Sequence, residues 1–435
     1  MYPRSRPRKV ALSLLVMLVA ATAAGFAQAA TTPQPGAALT MRAALQAALN
    51  SNPALDAFAP QRSAAEALTL QAGLKPNPEI GIDVENFAGS GDYKAADSME
   101  ATLRLALALE GSEKRRARVA VARDGIVRID TDYTLARLDV AADTARRFID
   151  VVESQQQLQL AQHSADIAES VYAMADRRVR AGAASDLERQ RAAIGRERAL
   201  LEVEHYEHLL LTQRRWLAAQ WGADSAEFSQ AEANLLELPS LPEPEQLLAQ
   251  LSSSPDYARY DIERRLRESE LALARAQASG NPVLSTGVRR FERSNDVGLV
   301  ATLLFPLPWS DRNQGRIAAA AAQRDLVEVQ QRGALIHAKA ALYDLTQELR
   351  HARTLVETLG QTLIPRADAA LKATLRGYNE GRYSQLDVLD ARTTALELER
   401  ERVTNAADYH RFLAAIERMT ALAPPDDATA ASPAP

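Results

Sequence analysis

The sequence predicts a mainly α-helical chain with a small β part, built from one helix-and-hairpin unit written twice. Three observations predict it. Aromatic residues are only 5% of the 435 residues while Ala, Leu, Arg and Glu dominate, a composition of long helices rather than of a many-stranded sheet. Two very long helical patterns run over roughly 112–178 and 314–377. An ordered series of matches recurs at an offset of about 200 residues. Asn77-Pro78-Glu79-Ile80 returns as Asn281-Pro282-Val283-Leu284, and Phe87 as Phe291. Ala101-Thr102-Leu103 returns as Ala301-Thr302-Leu303, and Gly182, Ser185 and Leu187 as Gly381, Ser384 and Leu386.

The elements follow in one order in each copy. A basic head (Arg4, Arg6, Arg8, Lys9), the apolar run Val10 to Ala21 and Ala27-Gln28-Ala29 make a secretory signal peptide over 1–29. The run is too short to span a bilayer, which needs about 20 residues. Residues 31–38 read as a flexible lead-in. The first copy occupies 30–222, a linker covers 223–243, with three prolines between Leu236 and Pro244 at its end, and the second copy occupies 244–421. The Ala/Pro/Asp-rich tail 422–435 reads as disordered. Within each copy a helical stretch (about 40–74, and 243–279) ends at an Asn-Pro pair, which forces the chain out of the helical region. Two strands follow, over about 78–109 and 282–308. A very long helix comes next, then a glycine turn and a returning helix (186–222, and 385–421). A helix of 65 residues is about 100 Å long, and such helices pack as coiled coils. Pro365 should kink or divide the second one.

The ends and the charges bound the function. With no Cys, an exported chain has no disulfide, no thiolate chemistry and no site for an N-terminal lipid. Without the signal, 47 of the 51 Lys and Arg remain against 56 Asp and Glu, a net charge near −9. That excludes nucleic acid as a partner.

The strands alternate with period two. Ile80, Ile82 and Val84 face opposite Gly81, Asp83 and Glu85. Leu103, Leu105, Leu107 and Leu109 face opposite Thr102, Arg104, Ala106 and Ala108. Leu284, Thr286 and Val288 share a face, as do Val297, Leu299, Ala301, Leu303, Phe305 and Leu307. Each strand is about the length that crosses a bilayer at a tilt. The alternative is a small periplasmic sheet resting on helices, but the polar face carries charges suited to a water-filled lumen. Four strands leave two raw edges, which lipid does not tolerate. A closed barrel needs about eight strands or more, so the chain should oligomerise. Two copies would supply eight strands and three would supply twelve.

These features resemble the TolC family of outer-membrane exit channels, within it the CzcC-like heavy-metal branch. The residues that carry the resemblance are Leu74-Lys75-Pro76-Asn77-Pro78-Glu79, Glu85-Asn86-Phe87, Lys114-Arg115-Arg116-Ala117 and Gly287-Val288-Arg289-Arg290-Phe291-Glu292. Phe305-Pro306-Leu307-Pro308 with Asp311-Arg312-Asn313-Gln314-Gly315 is the most branch-specific signal. One departure is Glu110-Gly111-Ser112-Glu113-Lys114-Arg115, where the branch usually has Glu-Leu-Gly-Gly-Lys-Arg. The resemblance implies a homotrimer sharing a 12-stranded barrel continuous with a periplasmic helical tunnel. It implies an outer-membrane duct of a tripartite efflux system, served by a periplasmic adaptor and an inner-membrane RND pump, with heavy-metal cations as cargo. Multidrug export and type I protein secretion are the rival cargoes. A periplasmic coiled-coil scaffold is the rival of another class.

The turn Gly377-Tyr378-Asn379-Glu380-Gly381-Arg382-Tyr383-Ser384-Gln385-Leu386-Asp387-Val388-Leu389-Asp390 is the candidate site. Gly381 suits the left-handed residue that ends a helix, and Ser384 is placed to cap the next. Asp387 and Asp390, three apart, lie on one helical face. The bland reading is that they are acidic first-turn residues favoured by the helix dipole. The resemblance implies that both aspartates form the narrowest periplasmic ring, that Tyr378 locks the gate and that Glu188 is its acidic partner. It makes the tips around Gly182, Ser185, Gly381, Arg382 and Ser384 the adaptor-docking surface. No catalytic constellation, cofactor site or metal site is expected. His205 and His208 beside Glu204 and Glu207 have zinc-compatible spacing, but a solvated helix surface is the preferred reading. Trp216 and Trp221 are expected in core packing.

Overall fold

The computed structural model describes residues 36–421. The expected signal peptide, most of the lead-in and the expected tail lie outside these residues. The chain opens with β1 (Leu39–Thr40), α1 (Met41–Ser51), α2 (Pro53–Asp56) and α3 (Phe58–Gly73). The first hairpin is β2 (Glu79–Glu85) and β3 (Glu100–Ala108). It feeds α4 (Ser112–Arg180), from which α5 (Asp186–Ala218) returns. The two-residue β4 (Ala231–Glu232) precedes α6 (Pro244–Ser253) and α7 (Pro255–Ala276). The second hairpin is β5 (Val283–Phe291) and β6 (Asp296–Leu304). It feeds α8 (Gln314–Thr358), α9 (Ile364–Asn379) and the returning α10 (Gln385–Thr420).

The long helices take the predicted positions. Helix α4 has 69 residues, about 100 Å at 1.5 Å per residue. Its counterpart is divided. A π-helical segment, Leu359–Leu363, separates α8 from α9, with Pro365 just beyond it. Proline lacks the N–H that an α-helix would use and crowds the carbonyl four residues earlier, and widening the preceding turn relieves that conflict. Pro53 and Pro255 likewise begin new helices (α2 and α7), each within one continuous stretch expected from the sequence.

The sheet order is β2-β3-β5-β6, antiparallel throughout, so β3 and β5 join the two hairpins. Register places Ile80 beside Leu105 and Ile82 beside Leu103. Leu103 then meets Val288, which meets Leu299. These apolar side chains form one face, and nothing among the described residues covers it: Ile80 is 77% and Leu299 89% exposed. The opposite face carries an ionic ladder. Arg104 pairs with Asp83 at 3.2 Å, and Arg289 pairs with Glu85 and Glu100, both at 2.7 Å. Strands β2 and β6 are edges with no partner among the described residues. The fourth strand ends at Leu304, so the expected continuation through Leu307 is not paired; Pro306 and Pro308 cannot donate to a ladder.

At the departure from the branch pattern, Gly111 precedes α4 in an extended conformation (φ −63°, ψ 139°). Arg118 fastens the bend: it pairs with Glu110 and donates to the Ala72 carbonyl at 2.8 Å and the Leu74 carbonyl at 3.1 Å. The orphan carbonyls at the end of α3 are thus satisfied from α4.

The core lies where the helical arms meet the short elements. Phe148, Ile149, Val151 and Val152 of α4 pack with Leu39, Leu217, Phe228, Ala231, Leu235, Val356, Ala406 and Ala407. The segment 223–243, expected as a linker, contributes to this core. β4 pairs in parallel with β1, and Gln155 holds Ala231 from the other side, donating to its carbonyl at 2.9 Å and accepting from its N–H at 2.8 Å. The lead-in also engages, with Gly36 N donating to the Glu227 carbonyl at 2.8 Å. Trp221 packs against Phe228, but Trp216 stays largely exposed under Arg147, so only one of the two tryptophans sits with the core.

Candidate functional site

The end of the molecule opposite the sheet consists of two helical hairpin tips. Each long helix ends in the same geometry. Gly182 has φ +71° and Gly381 has φ +76°. Gly182 N donates to the Val179 carbonyl and Ala183 N to the Arg178 carbonyl; Gly381 N donates to the Tyr378 carbonyl and Arg382 N to the Gly377 carbonyl. This pair of bonds satisfies the last carbonyls of a helix and requires a left-handed residue, which glycine adopts without steric cost.

The returning helices start differently. Ser384 caps α10: its Oγ accepts from Asp387 N at 3.3 Å, while its own N–H donates to Asp387 Oδ2 at 2.8 Å. This reciprocal capping box holds the Asp387 carboxylate below its usual range, chiefly through the Ser384 hydroxyl bond. Ser185 precedes α5 in the same extended conformation but makes no side-chain cap bond. The residue three positions on, Glu188, turns instead to the other hairpin.

There it meets Tyr378. The Tyr378 ring is 1% exposed and packs with Val171, Ala175, Ala192 and Val388. Its hydroxyl donates to Glu188 Oε2 at 3.4 Å. Burial, and next the neighbouring Glu188 charge, push the phenol up from its ordinary range, while Arg178 opposes them. Gln385, itself buried, donates from Nε2 to the Glu188 carbonyl at 2.8 Å. Arg178 lies over the Tyr378 ring at 4.6 Å and donates to the Tyr378 carbonyl. Sequence reasoning missed Arg178 and Gln385. Arg178 is one of three arginines in the last turn of α4, and nothing in the sequence sets it apart from Arg177 and Arg180.

The remaining expected residues are exposed. Asp387 and Asp390 both face solvent on the side of α10 away from the buried Gln385 and Val388. Arg382 is exposed and pairs with Glu380. The structure therefore brings Tyr378 and Glu188 together, commits Asp387 to its cap and leaves Asp390 without a partner in the described chain. His205 and His208 lie on α5, and no cluster of three or more potential ligands occurs among the described residues. No described helix is long and apolar enough to cross a membrane.

Comparison with known proteins places this arrangement. A family model described as "Outer membrane efflux protein" matches residues 44–223, the first of the two copies. The chain is 32% identical over 359 residues to the cobalt-zinc-cadmium resistance protein CzcC of Cupriavidus metallidurans, covering 82% of this chain and 84% of that protein. In fold it is similar to the crystal structure of CusC, with a TM-score of 0.71 and 15% identity over 87% of this chain and 91% of CusC. It is similar to the open state of the MtrE outer membrane channel of Neisseria gonorrhoeae, with a TM-score of 0.68 and 17% identity over 87% of this chain and 88% of MtrE.

Proposed function

Because this chain belongs to the outer membrane efflux protein family, we propose that it is the exit duct of a heavy-metal efflux system, trimeric and without catalytic activity of its own. It resides in the outer membrane and extends into the periplasm. The observation that carries the duct reading is the sheet: one strand of seven residues and three of nine, an apolar face uncovered by the described residues, a charged opposite face and two edges unpaired among them. Lipid can cover the apolar face, but only neighbouring protomers can satisfy the edges. Three protomers give twelve strands, and six helical hairpins then line the tunnel below.

The cargo reading rests on the likeness to the cobalt-zinc-cadmium resistance protein. Divalent cations pass down a water-filled lumen whose energy and opening come from a periplasmic adaptor and an RND pump of the inner membrane. The adaptor docks on the tips around Gly182, Ser185, Gly381, Arg382 and Ser384. At the periplasmic entrance Asp387 and Asp390 of three protomers supply the narrow carboxylate ring, and the Tyr378–Glu188 bond holds the two hairpins of each protomer together. The two repeats, 30–222 and 244–421, each contribute one barrel hairpin and one tunnel arm.

Deletion of the gene in its host should lower tolerance to cobalt, zinc or cadmium salts and leave tolerance to lipophilic drugs unchanged. The reverse pattern would move the cargo to the multidrug class. Purified protein that stays monomeric and soluble, and forms no pore in planar bilayers, would overturn the duct reading in favour of a periplasmic scaffold.

A further inference from the structure

We propose that Arg178 is a positioning residue of the periplasmic gate, holding Tyr378 in the orientation from which its hydroxyl reaches Glu188. This rests on the gate reading above and adds the residue on which that bond depends.

Arg178 grips Tyr378 at two points. Its guanidinium lies over the ring at 4.6 Å, where the negative π face attracts a cation. Its Nη1 donates to the Tyr378 carbonyl. That same carbonyl accepts the Gly381 N–H at 3.0 Å, as part of the turn that ends α9. The arginine thus fixes the ring and the backbone turn together. It also brings positive charge to the C-terminal end of α9, where the helix dipole favours a cation.

Neighbouring arginines are used otherwise. Arg180 pairs with Asp176 in its own helix at 2.6 Å, and Arg177 is exposed. Of the three, Arg178 is the one that touches the second hairpin among the described residues.

Comparison of the two copies sharpens the point. At the turn offset of 199 set by Gly182 and Gly381, the counterpart of Arg178 is Gly377 and the counterpart of Tyr378 is Val179. At Gly377 an added Cβ would lie 2.1 Å from the Tyr383 ring, so that position cannot carry an arginine without displacing Tyr383. At this pair of positions the first copy sends the arginine across and the second offers the ring that receives it. Three cross-copy contacts then converge: Arg178 to the Tyr378 carbonyl, the Tyr378 hydroxyl to Glu188, and Gln385 to the Glu188 carbonyl at 2.8 Å. Separation of the hairpins must break all three, and loss of Arg178 frees the tyrosine to swing from Glu188.

The test is planar-bilayer recording of the full-length channel as wild type, Arg178→Met, Tyr378→Phe, Glu188→Gln and the Arg178→Met/Tyr378→Phe double variant. Methionine keeps an unbranched apolar stem and removes the guanidinium. Each single variant should raise the ratio of open to closed time about fivefold or more. The double variant should exceed neither single one, because both act through one contact. The melting temperature of the assembled protein should stay unchanged, which a merely structural role would not predict. A wild-type ratio in Arg178→Met beside a raised ratio in Tyr378→Phe would overturn the inference and leave the gate reading intact. Multiplying effects in the double variant would overturn it equally. If neither Tyr378→Phe nor Glu188→Gln changes the ratio, the gate reading fails and takes the inference with it. Should Arg178→Met not assemble, Arg178→Lys replaces it: the flat face is lost, the ratio should rise, and in the Tyr378→Phe background it should not rise further.

Discussion

Two carboxylates at matching positions, three residues into α5 and α10, serve different ends. Asp387 is short and stays with its own cap, whereas Glu188 is one methylene longer and reaches Tyr378. The sequence pattern Ser-x-x-acid is the same in both, so the divergence is set by what lies across the gap. This separates two roles that the sequence merged at Asp387. Ser384→Ala should remove the cap, costing about 1 kcal/mol of tip stability, and leave divalent-cation block of the channel unchanged. Asp390→Ala should raise single-channel conductance and weaken that block with no loss of the cap; unchanged conductance and block would remove Asp390 from the ring. A further residue acts through burial. Glu417 of α10 is desolvated without an ion pair among the described residues, and its carboxyl is pushed up to about 7 from its ordinary 4.5. Between those values the folded state holds a proton that the unfolded chain has released. Stability is therefore greatest below about pH 4.5 for this group and falls as pH rises through about 7. Glu417→Gln should raise the melting temperature by a few degrees at about pH 8 and leave it unchanged at about pH 4.5, as read by thermal scans at both values.

Helices carry the reading at the scale of elements, and their ends decide it. The glycines at φ +71° and φ +76° close both long helices with the same pair of bonds. Gly381→Ala should cost about 1 kcal/mol, the penalty of a Cβ in the left-handed region, and should show as faster amide exchange in the turn from Gly377 to Ser384. An exchange rate equal to wild type would mean that the turn does not need its left-handed residue. Pro365 was legible as an interruption, but its form was not. The π-helical segment lies against α10, and its wider turn relieves the conflict of Pro365 with the preceding backbone. The short β1–β4 pair was illegible for a different reason. Two residues carry no periodicity, and the partners lie 192 positions apart. Gln155 completes the pair from α4, a contact that no local pattern encodes.

At the scale of the whole molecule, the sheet is the part the chain cannot satisfy alone. Its apolar face is uncovered, and its edge strands have no partners among the described residues. A soluble protein would tolerate a charge at the 89% exposed Leu299. In a lipid-facing barrel, Leu299→Arg should cost about 2–4 kcal/mol near the bilayer midplane. Arginine at the adjacent Val300, on the charged face, should be tolerated. Yields of detergent-resistant trimer for the two variants measure the difference; equal yields would argue that the face does not meet lipid. At the opposite end Arg178, Tyr378, Glu188 and Gln385 tie the two hairpins of one chain together. The sheet with its unpaired edges and the tips where the two hairpins of one chain are tied together are thus about 100 Å apart along the helices.

The sequence by itself determined the element order, the long helices, the two hairpins with their apolar and charged faces, and the left-handed glycine turns. These follow from periodicity, from proline and glycine backbone limits, and from capping chemistry, all of which act within a few residues. Of the tip it also marked Tyr378, Glu188, Asp387 and Asp390, but not Arg178 or Gln385. Tertiary structure decided how they are used. Glu188 leaves its cap for Tyr378, Asp387 keeps its own, Arg178 crosses between copies, and the segment 223–243 joins the core. Each of these joins residues that are distant in sequence, where only the packing of α4, α5, α9 and α10 sets which side chain lies within reach.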